Sequence, residues 1–407
     1  MKKIDGGVTV AQGFEAAAVA AEIKYKNRTD MAIIYSQAPC KVAGTFTTNV
    51  VKAAPVKWDQ KVVAESAFGQ AVIVNSGIAN ACTGAEGLGY CQETADEAAK
   101  LLNIPADSVL VGSTGVIGKQ LPMDRIKAGI AKLVEAKQDT IEAGTEAAKA
   151  IMTTDTCKKE IAFELEIGGK IIKIGGMAKG SGMIHPNMCT MLSFITTDAV
   201  ISKSALQKAL SDDVNDTYNM ISVDGDTSTN DTVLVLANGM AGNAEIVEGT
   251  KDYDIFYQAL HEVNEFLAKS MAGDGEGATA LFEVNVCGAQ TKEQAKVLAK
   301  AIACSSLTKT ALAGHDANWG RIICAMGYSG AQFDPEKVDL FIESEVGKIQ
   351  LVDNGVGTDF DEEKATEILS QSVVIATADV KMGCEKATAW GCDLTHGYID
   401  INADYRS

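Results

Sequence analysis

The stretch 179–199, KGSGMIHPNMCTMLSFITTDA, joins a loop to a buried strand within a few residues. Its first half contains GSG, then His185 and a Pro-Asn turn, a composition that is typical of loops. Its second half is an apolar run rich in β-branched and aromatic residues, which indicates a buried strand. Thr190 occupies the junction. Threonine begins strands well, but a threonine at this junction could also be a nucleophile and the first residue of a second chain.

The composition of the 407-residue chain favours a globular enzyme of two domains. Charged residues at 22% and hydrophobic residues at 46% lie far from the values of disordered proteins. The net charge of −18 argues against nucleic acid or an anionic membrane as partner, since both would repel the chain. The first residues carry two lysines without an apolar segment behind them, and no apolar run approaches the ~20 residues that span a bilayer. We therefore expect a cytoplasmic protein.

Ten cysteines are scattered from Cys40 to Cys392, and no two of them have C-x-x-C spacing. The four histidines include no H-x-x-x-H pair, so the sequence lacks the usual signature of a zinc site. Free, mostly buried thiols in a reducing compartment are the favoured interpretation. We expect neither a metal nor another cofactor.

Strand and helix patterns alternate along the chain. The segment 161–176, IAFELEIGGKIIKIGG, alternates around two glycines, which predicts a hairpin. Hairpins beside single helices favour an α/β fold of the α+β type, with mixed or antiparallel sheets layered with helices, over a Rossmann-type parallel sheet. Further strands are predicted at 31–36, 70–77, 108–115 and 232–239. A strand-rich tail contains KVDLFIES, GKIQLVDNG, SVVIATADV and GYIDINADY. Helices are predicted at 91–103, 123–137, 139–152, 203–220, 252–271, 292–304 and 361–371. We place the boundary between a catalytic domain, 1–280, and a smaller C-terminal α/β domain, 281–407, after GDGEGATA.

Three loops are candidate sites. GSTGVIG, 112–118, matches neither nucleotide-binding pattern, but its N–H groups and the Thr114 hydroxyl could stabilise an oxyanion; an ordinary tight turn is the alternative. DGDTSTNDT, 224–232, concentrates acids and hydroxyls as cation sites do, yet it lacks EF-hand spacing, and self-capped turns explain it as well. In AGDGEG, 272–277, we expect the Glu276 carboxylate to be exposed at a loop tip.

The usual nucleophilic systems are missing from the sequence. It contains no G-x-S-x-G motif, and no histidine has a visible acid partner. A threonine can instead use its own α-amine, whose pKa of about 8 makes it a base at neutral pH. That amine exists only if the bond before Thr190 is cut. Attack of the Thr190 hydroxyl on the Cys189 carbonyl would give an ester that water then opens.

The run GGMAKGSGMIHPNMCTML, which contains the start of the opening stretch, and eight further ordered segments resemble the ornithine acetyltransferase / glutamate N-acetyltransferase family of arginine biosynthesis. The resemblance extends over essentially the whole chain and ends at its C-terminus. The matching segments, besides GGMAKGSGMIHPNMCTML, are VNSGIANACTG (74–84), GSTGVIG, IMTTDT (151–156), DGDTSTNDT, GDGEGAT, HDANWGRI (315–322), AMGYSG (325–330) and INADYRS (401–407).

The resemblance implies an N-terminal-nucleophile-like amidase/acetyltransferase fold that cleaves itself between Cys189 and Thr190. The products would be an α chain, 1–189, and a β chain, 190–407, assembled as an α2β2 heterotetramer. Thr190 would transfer acetyl from N2-acetyl-L-ornithine to L-glutamate by a ping-pong mechanism, giving L-ornithine and N-acetyl-L-glutamate. Family members that also use acetyl-CoA share these motifs, so acetyl-CoA stays open as a co-substrate.

The resemblance also implies roles for single residues. Thr114 and Gly115 match the family's oxyanion hole. Lys179 would pair with a substrate carboxylate and Glu276 with an ammonium. The positions that match substrate-binding residues are Thr153, Lys179, Thr190, Glu276, Asn402 and Ser407. For Asp231, Asp316 and Arg321 we favour a structural role.

Four positions depart from the family pattern. Cys189 and Ser181 stand where alanine is more usual, Ile78 replaces an asparagine and Ala317 a proline. Ile78 matters most, because a missing amide near a polar site could alter the local hydrogen bonding.

Two other functions stay open. A related self-processing amidase or aminopeptidase would pass the acyl group to water, and a non-catalytic paralogue would bind pathway metabolites as a sensor. The intact Thr190, Lys179 and oxyanion loop argue against the sensor, which has no need of a nucleophile.

Overall fold

A computed structural model describes residues 1–185 and 191–403. The described residues form two compact units. The first comprises 1–180, 191–218 and 227–267, and the second 181–185, 219–226 and 268–403. The predicted domain boundary near residue 280 stays a prediction. The second unit differs from the predicted C-terminal domain, because it also contains the two earlier segments and residues 268–280.

The first unit is built on a nine-stranded mixed sheet. Its strands are β1 (Lys2–Ile4), β2 (Phe14–Val19), β3 (Met31–Phe46), β4 (Gly69–Asn75), β5 (Val109–Ser113), β6 (Lys159–Ile167), β7 (Lys170–Lys179), β8 (Leu192–Thr197) and β9 (Thr232–Ala237). They are ordered β1-β6-β7-β8-β9-β3-β4-β5, and β2 also pairs with β3. Every residue of β4, β5, β8 and β9 is buried, which explains why these strands are nearly continuous apolar runs.

Two parallel pairs in this sheet position the candidate site. β4 is parallel to β5, and β8 is parallel to β9, whereas the other pairs are antiparallel. The carboxyl ends of β4 and β5 therefore lie side by side, as do the amino ends of β8 and β9. The long strand β3 links these regions, because its first part pairs with β4 and its last part with β9, with a register shift between Tyr35 and Cys40.

Helices cover the sheet of the first unit. Helices α1 to α4 pack on β2 to β5 around a core that includes Trp58, Ile73 and Leu110. The helices are α1 (Ala54–Glu65), α2 (Glu86–Leu102), α3 (Met123–Ala136), α4 (Ile141–Ala150), α5 (Lys203–Val214) and most of α6 (Lys251–Gly273). Thr140 caps the start of α4 and Ser202 caps the start of α5. Each has a side-chain oxygen that accepts an N–H three residues further on.

The second unit has a six-stranded sheet in the order β13-β12-β11-β14-β10-β15. The strands are β10 (Leu281–Ala289), β11 (Asp339–Ser344), β12 (Gly347–Asp353), β13 (Val356–Gly357), β14 (Val373–Asp379) and β15 (Glu385–Cys392). The helices are α7 (Lys292–Cys304), α8 (Ser306–Ala313), α9 (Trp319–Gly327), α10 (Glu362–Leu369) and α11 (His396–Asn402). Helix α7 packs across β10 and β15, and β10 and β14 form the parallel pair of this sheet.

The predicted mixed α/β layers are confirmed, and so is the hairpin between β6 and β7. Ile167 pairs with Lys170 across a two-residue turn whose residues, Gly168 and Gly169, have φ values of +57° and +74°. A positive φ at both positions costs glycine nothing, which is why the pair of glycines predicts this turn.

One predicted strand is wrong. The segment GYIDINADY was predicted to be extended, but its first residues belong to helix α11. Thr395 caps the start of the helix, since its side chain accepts the Gly397 N–H. The alternating pattern misled because Ile399 and Ile401 are 62% and 37% exposed, so these apolar residues do not form the buried face of a strand.

All nine cysteines among the described residues are free thiols, but the prediction that they are mostly buried is wrong. The exposed ones are Cys82, Cys157, Cys324 and Cys384. Within residues 1–185 and 191–403, no three His, Cys, Asp or Glu side chains come together as a possible metal site. In the same part of the chain, no helix combines the length and apolar character needed to cross a membrane.

Candidate active site

The loops that follow β4 and β5 lie against each other because these strands are parallel and Asn75 pairs with Ser113. The Thr114 N–H donates to the Asn75 carbonyl oxygen at 3.0 Å, and the Val116 N–H donates to the Gly77 oxygen at 3.1 Å. These bonds fix the backbone on both sides of Gly115.

Gly115 cannot be replaced without moving this backbone. Its φ is +127°, and a Cβ at this position would overlap the backbone of Gly77. The Gly115 N–H donates to no acceptor among the described residues, and the Thr114 side chain is partly exposed. A fixed N–H beside a reachable hydroxyl is the arrangement that stabilises an oxyanion. The oxyanion site at GSTGVIG stays a prediction, with the ordinary tight turn as its alternative.

Buried amide side chains support this loop. Asn75 donates to the Ile78 oxygen at 2.9 Å and accepts from the Ser113 hydroxyl at 2.6 Å. Asn230, which precedes β9, donates to the Ser113 oxygen at 2.8 Å and to the Ala79 oxygen at 2.6 Å. The network connects the ends of β4 and β5 to the start of β9, so it holds the loop rigid.

A second group surrounds Lys179, the last residue of β7. Its ammonium donates to the Thr153 hydroxyl at 2.8 Å and lies 3.7 Å from the Asp155 carboxylate. Asp155 also accepts from Lys159 at 2.8 Å, from the Thr153 N–H at 3.0 Å and from the Gly180 N–H at 2.6 Å. The structure therefore brings the two predicted substrate residues Thr153 and Lys179 together, around a carboxylate that the sequence analysis did not single out.

Charge controls the ionisation of Asp155. Burial alone would raise its pKa, but the positive charges of Lys179 and Lys159 and the hydrogen bonds lower the pKa of the carboxyl well below its ordinary value. Asp155 is therefore ionised at neutral pH, and its charge is fixed between two lysines.

The first residues of β8 lie between the Lys179 group and the start of β9. Leu192 pairs with Lys179 on one side and with Thr232 on the other, and the Thr232 N–H donates to the Met191 oxygen at 2.9 Å. The predicted nucleophile Thr190 and the predicted cleavage residue Cys189 lie outside the described residues. Thr190 directly precedes Met191, which is the first described residue after this gap.

Asp231 is buried next to the same strand start. Neither of its carboxylate oxygens has a hydrogen bond of good geometry in the described part of the chain. Burial raises the pKa of Asp231 well above its usual value, although the Ser228 and Thr47 hydroxyls and the Met191 N–H lie near enough to moderate the effect. The preference for a structural role for this residue stays a prediction.

A third group of predicted residues lies in the second unit. The Asn402 side chain donates to the Glu276 carboxylate at 2.6 Å, and the Glu276 N–H donates to the Ser181 oxygen at 2.9 Å. Gly182 lies against this carboxylate, since a Cβ added to Gly182 would overlap it. The expectation of an exposed Glu276 is wrong. The residue is only 8% exposed, because Gly182 and the Asn402 side chain lie against its carboxylate.

Asp224 holds the same region of the second unit. Its carboxylate accepts the Met183 N–H at 2.6 Å and the Ile184 N–H at 2.8 Å, and the Tyr398 hydroxyl donates to it at 3.3 Å. It also accepts the Asp226 N–H at 3.2 Å, which is a self-capped turn. Of the two interpretations of DGDTSTNDT, the geometry favours capped turns over a cation site.

The structure thus forms two groups in the first unit, around Gly115 and around Lys179, and one in the second, around Glu276. Ser407 lies outside the described residues, as do the two residues at the predicted cleavage point. The sequence analysis did not single out Asp155, Lys159 or Asn230 for this site. Asp155 lies within the quoted motif IMTTDT, and Asn230 lies within DGDTSTNDT. An acid or an amide inside a motif that matches the family could therefore have indicated both residues.

The departure at Ile78 has a simple structural account. Its side chain is 5% exposed and packs in the core of the first unit. The Ile78 backbone oxygen, not its side chain, is the group that takes part in the amide network. The effect of the missing side-chain amide on the local hydrogen bonding stays a prediction. Ala317 is buried at the start of α9 in the second unit.

Comparison with known proteins identifies relatives along the whole chain. The model of the ArgJ family matches residues 15–407. The arginine biosynthesis bifunctional protein ArgJ of Thermotoga neapolitana is 54% identical over 399 residues, which cover 98% of this chain and 100% of that protein.

Two solved structures are also similar. The chain of the arginine biosynthesis bifunctional protein ArgJ of Bacillus halodurans is 48% identical with a TM-score of 0.51, and the match covers 53% of this chain and 99% of that chain. The ornithine acetyltransferase of Mycobacterium tuberculosis, solved in complex with ornithine, is 42% identical with a TM-score of 0.43, over 47% of this chain and 98% of that chain. With the family model matching nearly every residue and a curated relative more than half identical, this chain belongs to the ArgJ family.

Proposed function

We propose that this enzyme of arginine biosynthesis transfers acetyl from N2-acetyl-L-ornithine to L-glutamate through an acetyl-Thr190 intermediate. Family membership supports the substrates, and the geometry around Gly115 supports the chemistry. The observation that carries the proposal is the Gly115 N–H, held by the bonds of its neighbours and free of an acceptor among the described residues, beside the reachable Thr114 hydroxyl. Such donors stabilise the tetrahedral intermediate of acyl transfer.

Maturation supplies the nucleophile in this proposal. The Thr190 hydroxyl attacks the Cys189 carbonyl carbon, the C–N bond breaks, and the hydroxyl proton passes to the leaving nitrogen. Water then hydrolyses the ester and leaves Thr190 with a free hydroxyl and a free α-amine. The solved relative from Bacillus halodurans supports a divided chain: it matches 53% of this chain over 99% of its own length, and residues 190–407 make up about 54% of the sequence.

Transfer then takes place in two half-reactions. The Thr190 amine accepts the hydroxyl proton, and the oxygen attacks the acetyl carbonyl of acetylornithine. The developing oxyanion accepts hydrogen bonds from Gly115 and Thr114. Collapse releases ornithine, whose α-nitrogen takes the proton back from the Thr190 ammonium. Glutamate enters, and its α-amine reverses the sequence to give acetylglutamate.

The substrates share an α-carboxylate and differ in their side chains. We assign the α-carboxylate to Lys179, whose ammonium is already oriented by the Thr153 hydroxyl. We assign Glu276 to the α-amine or to the free amine of ornithine, since it would repel the γ-carboxylate of glutamate. Asn402, which donates to Glu276, and Ser407 complete the proposed substrate contacts.

Further parts of the proposal extend the family resemblance. The α and β chains stay together as an α2β2 assembly in the cytoplasm, and the enzyme needs no metal or other cofactor. Acetyl-CoA is a second acetyl donor, in keeping with the bifunctional name of the Thermotoga neapolitana relative. The assembly is tested by the mass of the native complex, and the second donor by acetylation of glutamate from acetyl-CoA alone.

Maturation gives the test of the proposed function. Wild-type protein should separate into two fragments under denaturing conditions, the second beginning with Thr190. Thr190→Ala should stay a single inactive chain, whereas Thr190→Ser, which keeps a hydroxyl, should still cleave. A Thr190→Ala protein that splits at the same bond would contradict the mechanism. Acetyl release to water in the presence of saturating glutamate would support the amidase instead, and binding without turnover would support the sensor.

A further inference from the structure

Two segments of the second unit lie against the Glu276 carboxylate. The first is the loop 181–184, in which a Cβ added to Gly182 would overlap the carboxylate. The second is helix α11, whose last residue, Asn402, donates its side-chain N–H to the carboxylate at 2.6 Å. The Glu276 N–H also donates to the Ser181 oxygen at 2.9 Å. The position of this carboxylate therefore depends on where the loop and the helix are held.

The Asp224 carboxylate holds this loop. Its Oδ2 accepts the Met183 N–H at 2.6 Å, and its Oδ1 accepts the Ile184 N–H at 2.8 Å. Met183 has a φ of +55°, a left-handed backbone conformation that is costly for a residue with a side chain. Hydrogen bonds from two successive N–H groups to one carboxylate offset this cost. Because Gly182 directly precedes Met183, these bonds also fix the backbone of Gly182.

The same carboxylate holds helix α11. The Tyr398 hydroxyl donates to Asp224 Oδ2 at 3.3 Å, so this tyrosine connects the helix to the acceptor that holds the loop. The Tyr398 carbonyl oxygen accepts the Asn402 side chain at 3.0 Å, and that amide group also donates to Glu276. A continuous series of contacts therefore runs from Asp224 through α11 to Glu276.

We infer that Asp224 is a positioning residue, which holds the loop 181–184 and helix α11 in place and so orients the Glu276 carboxylate for the amine of the substrate. This inference rests on the proposed function, because that function supplies the amine. Without the Asp224 carboxylate, the two loop N–H groups and the Tyr398 hydroxyl would lose their common acceptor. Glu276 would keep its charge but lose its fixed orientation. A carboxylate that must be ordered on binding holds an ammonium more weakly than one that is already oriented.

The test uses two variants. Asp224→Asn keeps the size of the side chain, but its amide cannot accept both loop N–H groups. Tyr398→Phe removes one hydroxyl, and α11 keeps its attachment through Thr395, which donates to the Gly277 oxygen at 2.6 Å. The kcat/KM for acetylornithine should fall about 10- to 100-fold in the first variant and about three- to tenfold in the second. The matched control is Tyr328→Phe, because this tyrosine is 64% exposed and its variant should behave as wild type.

The fall should be in binding and not in chemistry. We expect most of it in KM, with kcat changed by less than about threefold, because the groups proposed for acetyl transfer are untouched. Rates are divided by the fraction of cleaved chain, and thermal unfolding shows whether each variant is folded.

A double-mutant cycle separates this role from a merely structural one. Glu276→Gln keeps the shape of the side chain and removes the charge that Asp224 is inferred to orient. In the Glu276→Gln background, Asp224→Asn should therefore lower kcat/KM by less than about twofold further. A merely structural role would lower it by the same factor in both backgrounds. If Asp224→Asn does not fold, Tyr398→Phe gives the same cycle with Glu276→Gln.

Three results would overturn the inference. They are a wild-type kcat/KM in folded Asp224→Asn or in Tyr398→Phe, a loss confined to kcat, and equal losses in the two backgrounds of the cycle. A wild-type enzyme that fails to transfer acetyl from acetylornithine to glutamate would instead defeat the proposed function. Because the cycle is measured on an active enzyme, the two failures are distinguishable.

Discussion

Removal of the Thr114 hydroxyl should slow acetyl transfer without disturbing the loop that carries it. The Thr114 N–H bond to Asn75 and the neighbouring Val116 bond to Gly77 involve the backbone alone. Thr114→Val keeps the branched shape of the side chain and these bonds, and it deletes one of two proposed oxyanion donors. Loss of one such donor costs about 10²–10³ in kcat, or about 2.7–4 kcal/mol of transition-state stabilisation. Because Thr114 is only half-buried, we expect the lower end of this range.

The assay is ornithine release from acetylornithine and glutamate, with rates divided by the fraction of cleaved chain. This normalisation matters because the same donors could serve maturation. The KM for acetylornithine should change little, since the donor acts mainly in the transition state. Thr114→Ser, which keeps the hydroxyl, is the control and should lose less than about tenfold. Thermal unfolding of all three proteins shows whether the fold is retained.

Two outcomes would refute this assignment. A change confined to KM would place Thr114 in ground-state binding. An equal loss of kcat in the serine and valine variants would contradict the assignment, because serine keeps the hydroxyl and valine does not.

Two further predictions concern other parts of the molecule. The hydrogen bond to Asp213 is the main cause that raises the pKa of His261 from 6.5 to about 10, so the charged pair stabilises the fold fully below pH 6.5. This contribution disappears as the pH rises from 6.5 through about 10. The loss of unfolding free energy in His261→Gln, measured by urea unfolding, should therefore shrink over this pH range. A loss that does not depend on pH would contradict the charged pair. Gly182→Ala should lower kcat/KM by about tenfold or more, because its methyl group displaces the Glu276 carboxylate. Gly89→Ala, where nothing lies within 4 Å, is the control, and equal activity of both variants would contradict the proposed role of this carboxylate.

The sequence predicts those parts of the fold whose pattern is local. β4, β5, β8 and β9 are apolar runs between turn residues, and the two glycines of the β6–β7 hairpin specify a turn at a fixed position. Helix α11 was missed because a seven-residue helix with exposed isoleucines has no buried stripe for a pattern to reveal.

The candidate site was predicted less completely, for a physical reason. Thr114 and Gly115 follow a recognisable strand, which predicts their loop, and the family resemblance implies their role. Asp155 and Lys159 acquire their significance from β6 and β7, whose pairing places Lys159 opposite Ala178 and so beside Lys179. The contacts of Asp155 with Lys159 and Lys179 depend on burial and on long-range strand pairing. Neither of these appears in the spacing of residues along the chain.

The central claim, an acetyl group held on Thr190, is tested most directly by mass spectrometry of the enzyme treated with acetylornithine alone. The account predicts a gain of one acetyl group on the fragment 190–407, located at Thr190 by peptide sequencing and removed when glutamate is added. The matching steady-state result is a set of parallel double-reciprocal plots. An enzyme that turns over both substrates at the normal rate, shows intersecting plots and never carries acetyl would contradict the account.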